Sequence, residues 1–428
     1  MSFKSVSWYS WLVGFLLGGI GCVITSQLVW PSPTFLSGSL MLSGGIFCFD
    51  VVSFYLVLLS LLLCVSIAFW LYELSTFSIL MLGVSIVCSV LCYCCVHALW
   101  FWVFYEMSIV PLLVLLVVES PYSERYIASW YLLGYVVLTS LPMLLCLFYL
   151  ALLTGSFDIR FWGSPVDGVL VWIFVSVLLA VMFITKIPLP PFHVWLPIVH
   201  AEASSPVSVC LSGYIMKLGL LGVCRFCGSL LPDYIFSSFY ILVCFLLSAL
   251  FFFSASRELD GKRWLAFMSL CHILIASCCL CVGTYSLGGL SFLYCLGHGL
   301  SAGLTFLYLW LVYLTSGTRN LSLLKSSISG SLLLRVLTGA CLCTVCSLPP
   351  TMQFFCEVLL AGESLSVSTL FLLGLYLFLF LGGLVPLFLV GSVLSRHCDV
   401  SYGVGFGYSA VASLFFLVFW SFLFFLVA

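Results

Sequence analysis

The chain has 428 residues, of which 64% are hydrophobic and 6% charged, with 13 Lys+Arg against 14 Asp+Glu and a net charge of -1. Soluble domains hold roughly 45–50% apolar and about 25% charged residues, so these charges cannot cover a soluble globule of this size, and they offer no basic face for nucleic acid. A cytosolic enzyme, a nucleic-acid-binding module and a disordered chain are excluded, and a mean hydropathy of +1.32 names the bilayer as the solvent.

A membrane-crossing helix needs about 20 apolar residues. Such runs fall near 9–29, 51–73, 76–97, 99–118, 126–153, 168–196, 204–227, 235–256, 264–283, 289–314, 331–366, 370–394 and 404–427. The reading is an all-α polytopic membrane protein of about thirteen transmembrane helices. The first run follows a single basic residue, Lys4, without a small-residue cleavage site or an Arg- and Ser-rich transit pattern, and reads as an uncleaved span. Runs 168–196 and 331–366 are too long for one straight span, and carry Pro188, Pro190, Pro191 and Pro349, Pro350. Proline removes a backbone donor and clashes with the preceding turn, so each run predicts a broken helix. Both breaks contain Leu-Pro-Pro, at 189–191 and 348–350. Paired discontinuous helices mark inverted-repeat transporters with ion sites near the breaks; in a Leu-rich chain the tripeptide also recurs by composition alone. The chain then divides into N-terminal spans (1–75), a first half (76–227) broken near 186–191, a second half (228–394) broken near 349–357, and a C-terminal span (395–428).

Threading thirteen spans puts Lys4, Arg125, Arg257, Lys262, Arg263, Arg319, Lys325 and Arg396 on one side, with Arg335 at its edge, and Arg160 and Arg225 on the other. The positive-inside rule then sets the N-terminus in the matrix or cytoplasm and the C-terminus opposite. The 22 cysteines lie in apolar runs such as Cys92, Cys94, Cys95 and Cys278, Cys279, Cys281. The C-x-x-C spacings Cys224/Cys227 and Cys343/Cys346 lack a flanking His or Gly turn, so these thiols read as small buried hydrophobes. With no metal-ligand spacing, phosphate loop or dinucleotide fingerprint, no cofactor is expected in this chain.

Four ionisable residues fall well inside apolar runs: Glu106, Lys186 before the first break, Lys217 near mid-span, and Glu357 after the second break. A charge at a helix centre costs roughly 2.5–3.5 kcal/mol on insertion scales, so each needs a reason. One is a proton or ion relay facing the bundle interior; the other is static pairing between helices, or snorkelling to an interface. His298, between two glycines, and His193 and His200, beyond the first break, suit a relay because imidazole passes protons near neutral pH. His272 fits relay and core roles equally. Asp50, Glu73, Glu119, His97 and His397 sit at span ends and read as interfacial.

Phe104-Tyr-Glu-Met-Ser-Ile-Val-Pro111, Ser123-Glu-Arg125 and Ser140-Leu-Pro142 resemble the fifth and sixth helices of the antiporter-like subunit family of respiratory complex I, in its subunit 4 form. Lys186-Ile-Pro-Leu-Pro-Pro-Phe-His-Val-Trp-Leu-Pro197 with His200-Ala-Glu-Ala203 is similar to that family's most distinctive stretch. Lys217-Leu-Gly219, Arg225-Phe226, Asp260-Gly-Lys-Arg-Trp-Leu-Ala-Phe267 with His272, His298-Gly-Leu300 and Leu348-Pro-Pro-Thr351 with Glu357 continue the resemblance in order. It spans roughly residues 50–365 and keeps the two lysines 31 positions apart.

The resemblance implies an antiporter-like fold with two inverted five-helix repeats and broken seventh and twelfth helices. It implies a place in the proton-pumping arm of mitochondrial NADH:ubiquinone oxidoreductase, multi-pass in the inner membrane. Electron transfer from NADH to ubiquinone would drive pumping from elsewhere in the complex, leaving this chain without a redox centre. The implied partners are other membrane-arm subunits, especially antiporter-like subunits 2 and 5, and membrane lipids. Glu106 and Lys186 are implied as the first channel's ion pair, Lys217 as the central lysine and Glu357 as the exit-side carboxylate. Subunits 2 and 5 are expected to carry lysine at the last position, so Glu357 favours subunit 4 or its relative in sodium/proton antiporter complexes. The chain departs from the family in having room for one span rather than two before Asp50, Cys-Glu for Gly-Glu at Glu357, and Glu-Ala-Ser-Ser for Glu-Ala-Pro after His200. A multisubunit sodium/proton antiporter subunit and a structural subunit that has lost pumping are the other readings. The second sits poorly with four retained buried charges, since a scaffold gains by losing them.

Overall fold

The computed structural model describes residues 45–162, 169–230, 235–282, 288–329, 331–395 and 407–424. The expected span near 9–29, Lys4, Arg396 and His397 lie outside the described residues. Among the described residues the fold is helical, with three isolated β-bridges and no strand. In chain order the helices are α1 (Val51–Ala68), α2 (Thr76–Cys94), α3 (Ala98–Glu119) and α4 (Arg125–Thr154). Next come α5 (Val169–Ile184), α6 (Trp195–Glu202), α7 (Ser205–Cys227), α8 (Ser238–Arg257), α9 (Gly261–Val282) and α10 (Gly288–Ser316). Last are α11 (Leu321–Ser329), α12 (Leu332–Val345), α13 (Met352–Ser364), α14 (Thr369–Leu394) and α15 (Tyr408–Leu423). Nine of the described helices are long and apolar enough to cross a membrane, and α5, α12 and α15 are shorter apolar helices.

Side-chain caps start several spans. Asp50 and Ser53 form a reciprocal capping box at α1, each side chain taking the other's backbone N–H. Ser75, Ser237, Ser331 and Ser368 cap α2, α8, α12 and α14. Both proline-bearing runs are interrupted: α5 stops at Ile184 and helix resumes at Trp195, while α12 stops at Val345 and helix resumes at Met352. The first broken run continues to Glu202, past the expected end at 196. The link after α10 holds a short helix, α11, which apolar-run reading passes over because it is half polar; Asn320 Oδ1 starts it by accepting from Ser322 N (3.0 Å) and Oγ (2.6 Å).

Helices apolar all round are sorted by what they touch. In α7, α9 and α10, 94%, 89% and 94% of the most apolar stretch is buried within the protein, against 33% in α8 and α14. The first three therefore form the inner layer and the others the lipid-facing rim. The centre is α10, which packs on α1, α7, α9, α12, α13 and α15. Gly299 permits this, because a Cβ there would lie 2.6 Å from Leu59 and 3.1 Å from the Gly213 carbonyl.

The two ends of the bundle differ in charge. At one end Arg319 pairs with Asp260 (3.3 Å), lies over the Tyr122 ring and reaches the Ala201 carbonyl. Beside it Lys262 donates to the Ala203 carbonyl (2.8 Å) and Arg125 to that of Ser120 (2.7 Å). At the other end Arg225 pairs with Asp50 (3.1 Å) and Arg160 with Asp158 (2.5 Å). Hydrogen bonds from Arg160 hold the Asp158 carboxyl below its ordinary range.

Candidate functional site

The first break brings Lys186 against Glu106. Past Ile184 the backbone leaves the helix in tight turns, with the Lys186 N–H on the Phe183 carbonyl (3.0 Å), and the side chain points inward. Its Nζ donates to Glu106 Oε1 of α3 at 2.8 Å and lies 4.0 Å from the centre of the Tyr105 ring. Lys186 is 1% exposed and Glu106 9%, so the pair sits in low dielectric, where either charge alone would be costly.

Among the described residues Lys217 has no carboxylate partner. In α7 a π-turn over Leu211–Ile215 precedes it, and the widened turn lets Nζ reach back to the Ser212 carbonyl. Nζ also lies 2.9 Å from His298 Nδ1 on α10. With Lys217 as the ammonium, which only donates, Nδ1 is the acceptor and the imidazole carries its hydrogen on Nε2, 3.1 Å from Ser269 Oγ on α9. Lys217 and His298 are buried.

The second break places Glu357 on α13 facing α10. Its Oε1 accepts from Ser347 Oγ in the break (2.9 Å) and from Tyr294 Oη of α10 (3.3 Å). His272 Nδ1 lies 3.1 Å from that hydroxyl. Lys217, His298, Glu357 and His272 thus share one core between α7, α9, α10 and α13.

The other two expected histidines are placed differently. His200 is fully buried but stacks on Phe306, with ring centres 5.0 Å apart, and among the described residues neither ring nitrogen has a hydrogen-bond partner. His193 is half-buried against Phe251, and its Nδ1 is unpartnered. Among the described residues neither hydrogen-bonds to a charged side chain, although Lys217 and Lys262 lie near enough to His200 to act on it electrostatically. Tyr105, Ser269, Tyr294 and Ser347 were missed by sequence reasoning, because a hydroxyl in an apolar run gives no signal until helices meet around it. Lys262, which sequence threading leaves among the loop charges, is 4% exposed. Among the described residues the cysteines are free thiols, and no three His, Cys, Asp or Glu side chains gather as a metal site.

The family described as NADH:quinone oxidoreductase/Mrp antiporter, TM, matches residues 96–384. NADH-ubiquinone oxidoreductase chain 4 of Caenorhabditis elegans is 28% identical over 322 residues, covering 74% of this chain and 76% of that one. The chain 4 of Ceratitis capitata is 28% identical over 374 residues, covering 83% and 80%. Among solved structures, a chain of respiratory complex I from Thermus thermophilus with bound NADH superposes with a TM-score of 0.82 at 21% identity, over 96% of this chain and 90% of that one. A chain of the Mrp complex from Dietzia sp. gives 0.73 at 16% identity, over 97% and 89%.

Proposed function

Since this chain belongs to the NADH:quinone oxidoreductase/Mrp antiporter transmembrane family, we propose that it is the proton-pumping, chain-4-type membrane subunit of respiratory complex I. It sits in the mitochondrial inner membrane as a multi-pass protein. The observation that carries this reading is the buried Glu106–Lys186 ion pair in the same apolar bundle as the Lys217–His298 hydrogen bond. Buried charges of this kind are expensive in a bilayer and serve where charge has to move.

The residues act in order. While Glu106 faces Lys186, the ammonium is held as an ion pair. When the pair parts, the ammonium stands without a counter-charge in low dielectric, and its proton moves on towards Lys217. Lys217 gives a proton to His298 Nδ1 as the Nε2 hydrogen departs on the Ser269 side, and Glu357 releases a proton to the far compartment. His193 and His200 belong to the same relay, as groups that load it from the end where Lys262 and Arg319 gather. Redox chemistry elsewhere in the complex supplies the energy, and this chain holds no redox centre. The architecture is thirteen spans with two inverted five-helix repeats, and subunits 2 and 5 are its neighbours. The N-terminus faces the matrix and the C-terminus the intermembrane space.

The Mrp chain shares the fold, so a subunit of a multisubunit sodium/proton antiporter is the second reading. Isolation of the native assembly separates the two. Co-purification with NADH:ubiquinone reductase activity supports the first; an assembly that exchanges sodium for protons without oxidising NADH overturns it.

A further inference from the structure

We infer that Tyr294 is a relay residue, whose hydroxyl carries the proton from His272 to the Glu357 carboxylate. This rests on the relay reading above and adds the group that joins its histidines to its terminal acid. Glu357 has two polar partners among the described residues, Ser347 and Tyr294. Ser347 Oγ leads to no further titratable group, whereas Tyr294 Oη lies 3.1 Å from His272 Nδ1.

Hydrogen-bond bookkeeping orders the chain. A phenol has one hydrogen to give. With that hydrogen on Glu357 Oε1, the Tyr294 oxygen accepts from His272, which fixes His272 as the Nδ1–H tautomer. His272 Nε2 is then unprotonated, buried and without a geometric hydrogen-bond partner among the described residues, and the Val345 carbonyl beside the ring accepts from it once a proton arrives there. One turn back on α9, Ser269 takes the Nε2–H of His298, and the two imidazole centres are 6.0 Å apart. Every donor from Lys217 to Glu357 therefore points the same way, with one gap between the Ser269–His298 pair and His272 Nε2. Four residues apart on α10, Tyr294 and His298 share a helix face, with rings 7° from parallel and 6.5 Å apart, which holds the hydroxyl in place.

The step balances without any electron changing hands. A proton bound at His272 Nε2 makes an imidazolium. Its Nδ1–H bond breaks as a new O–H bond forms on Tyr294, and the old Tyr294 O–H bond breaks as Glu357 Oε1 gains the proton. Tyrosine and histidine both end neutral. After Glu357 releases its proton, the hydroxyl turns back to the carboxylate, and reorientation of the imidazole ring, with no bond broken, presents its N–H to the phenol oxygen again.

The test uses the assembled complex, reading protons translocated per NADH oxidised and coupled turnover. Tyr294→Phe keeps the ring and removes the hydroxyl, and should slow coupled translocation about ten-fold or more. Glu357→Gln is the control for the underlying reading. If Glu357→Gln abolishes translocation and Tyr294→Phe leaves it at the wild-type rate, this inference falls while the relay stands. If Glu357→Gln itself pumps normally, the relay reading falls as well. Tyr294→His and Tyr294→Gln form an independent pair should the phenylalanine variant fail to assemble. Both keep hydrogen-bonding groups in place, but only imidazole takes up one proton while releasing another. Translocation retained with His and lost with Gln supports the inference; equal rates in the two overturn it.

Discussion

Glu106 and Lys186 illustrate how a buried pair separates function from stability. Replacing one partner strands the other, at a cost of about 3–5 kcal/mol, whereas removing both is close to neutral. Glu106→Gln should therefore lower both the thermal stability of the complex and its pumping. Adding Lys186→Met should restore stability without restoring pumping, as thermal unfolding and proton-to-electron ratios measured on the same preparations would check. Recovery of pumping in the double variant would mean that the pair is static glue. These two residues, with Lys217, Glu357 and His298, were legible because an ionisable side chain in an apolar run is conspicuous wherever it lies. Tyr294 and Ser269 were not, since tyrosine and serine are ordinary within spans and gain meaning only where α9, α10 and α13 meet. His193 and His200 stood out equally well, yet they rest on Phe251 and Phe306 and, among the described residues, hydrogen-bond to no charged side chain.

At the scale of elements, the two interruptions were readable because proline acts on its own backbone, whatever surrounds it. The π-turns over Leu133–Val137 and Leu211–Ile215 were not, because no residue type enforces them; the second is set by what packs around α7. That packing makes a prediction. Gly219 lies against the first break, where an added Cβ would come 2.8 Å from Ile187 Cγ1 and 3.0 Å from the Phe183 carbonyl. Gly219→Val should force α7 away from the break that positions Lys186, destabilising by about 1–3 kcal/mol through overpacking. Gly83→Ala, inside α2 at a position with nothing within 4 Å, should leave the packing intact and raise stability by about 0.4–1 kcal/mol through helix propensity. Equal melting temperatures for the two variants would show that α7 does not brace the break.

For the whole molecule, threading from loop charges asked for one basic end, and Arg125, Lys262 and Arg319 do converge there while Arg160 and Arg225 lie opposite. Which end faces the matrix is a property of the bilayer, and charge bias answers it only by rule. Labelling with a membrane-impermeant maleimide decides it. Ser123→Cys should react only in inverted inner-membrane vesicles, and Phe161→Cys only in right-side-out mitoplasts; the reverse pattern would invert the topology. The composition that first excluded every soluble class also limits where function can reside, because few charges remain once the ends are supplied. The most direct measurement is the number of protons translocated per NADH oxidised by the assembled complex carrying Lys217→Met. A relay through Lys217 predicts a fall in that ratio with the complex intact; the wild-type ratio at full coupling would contradict it.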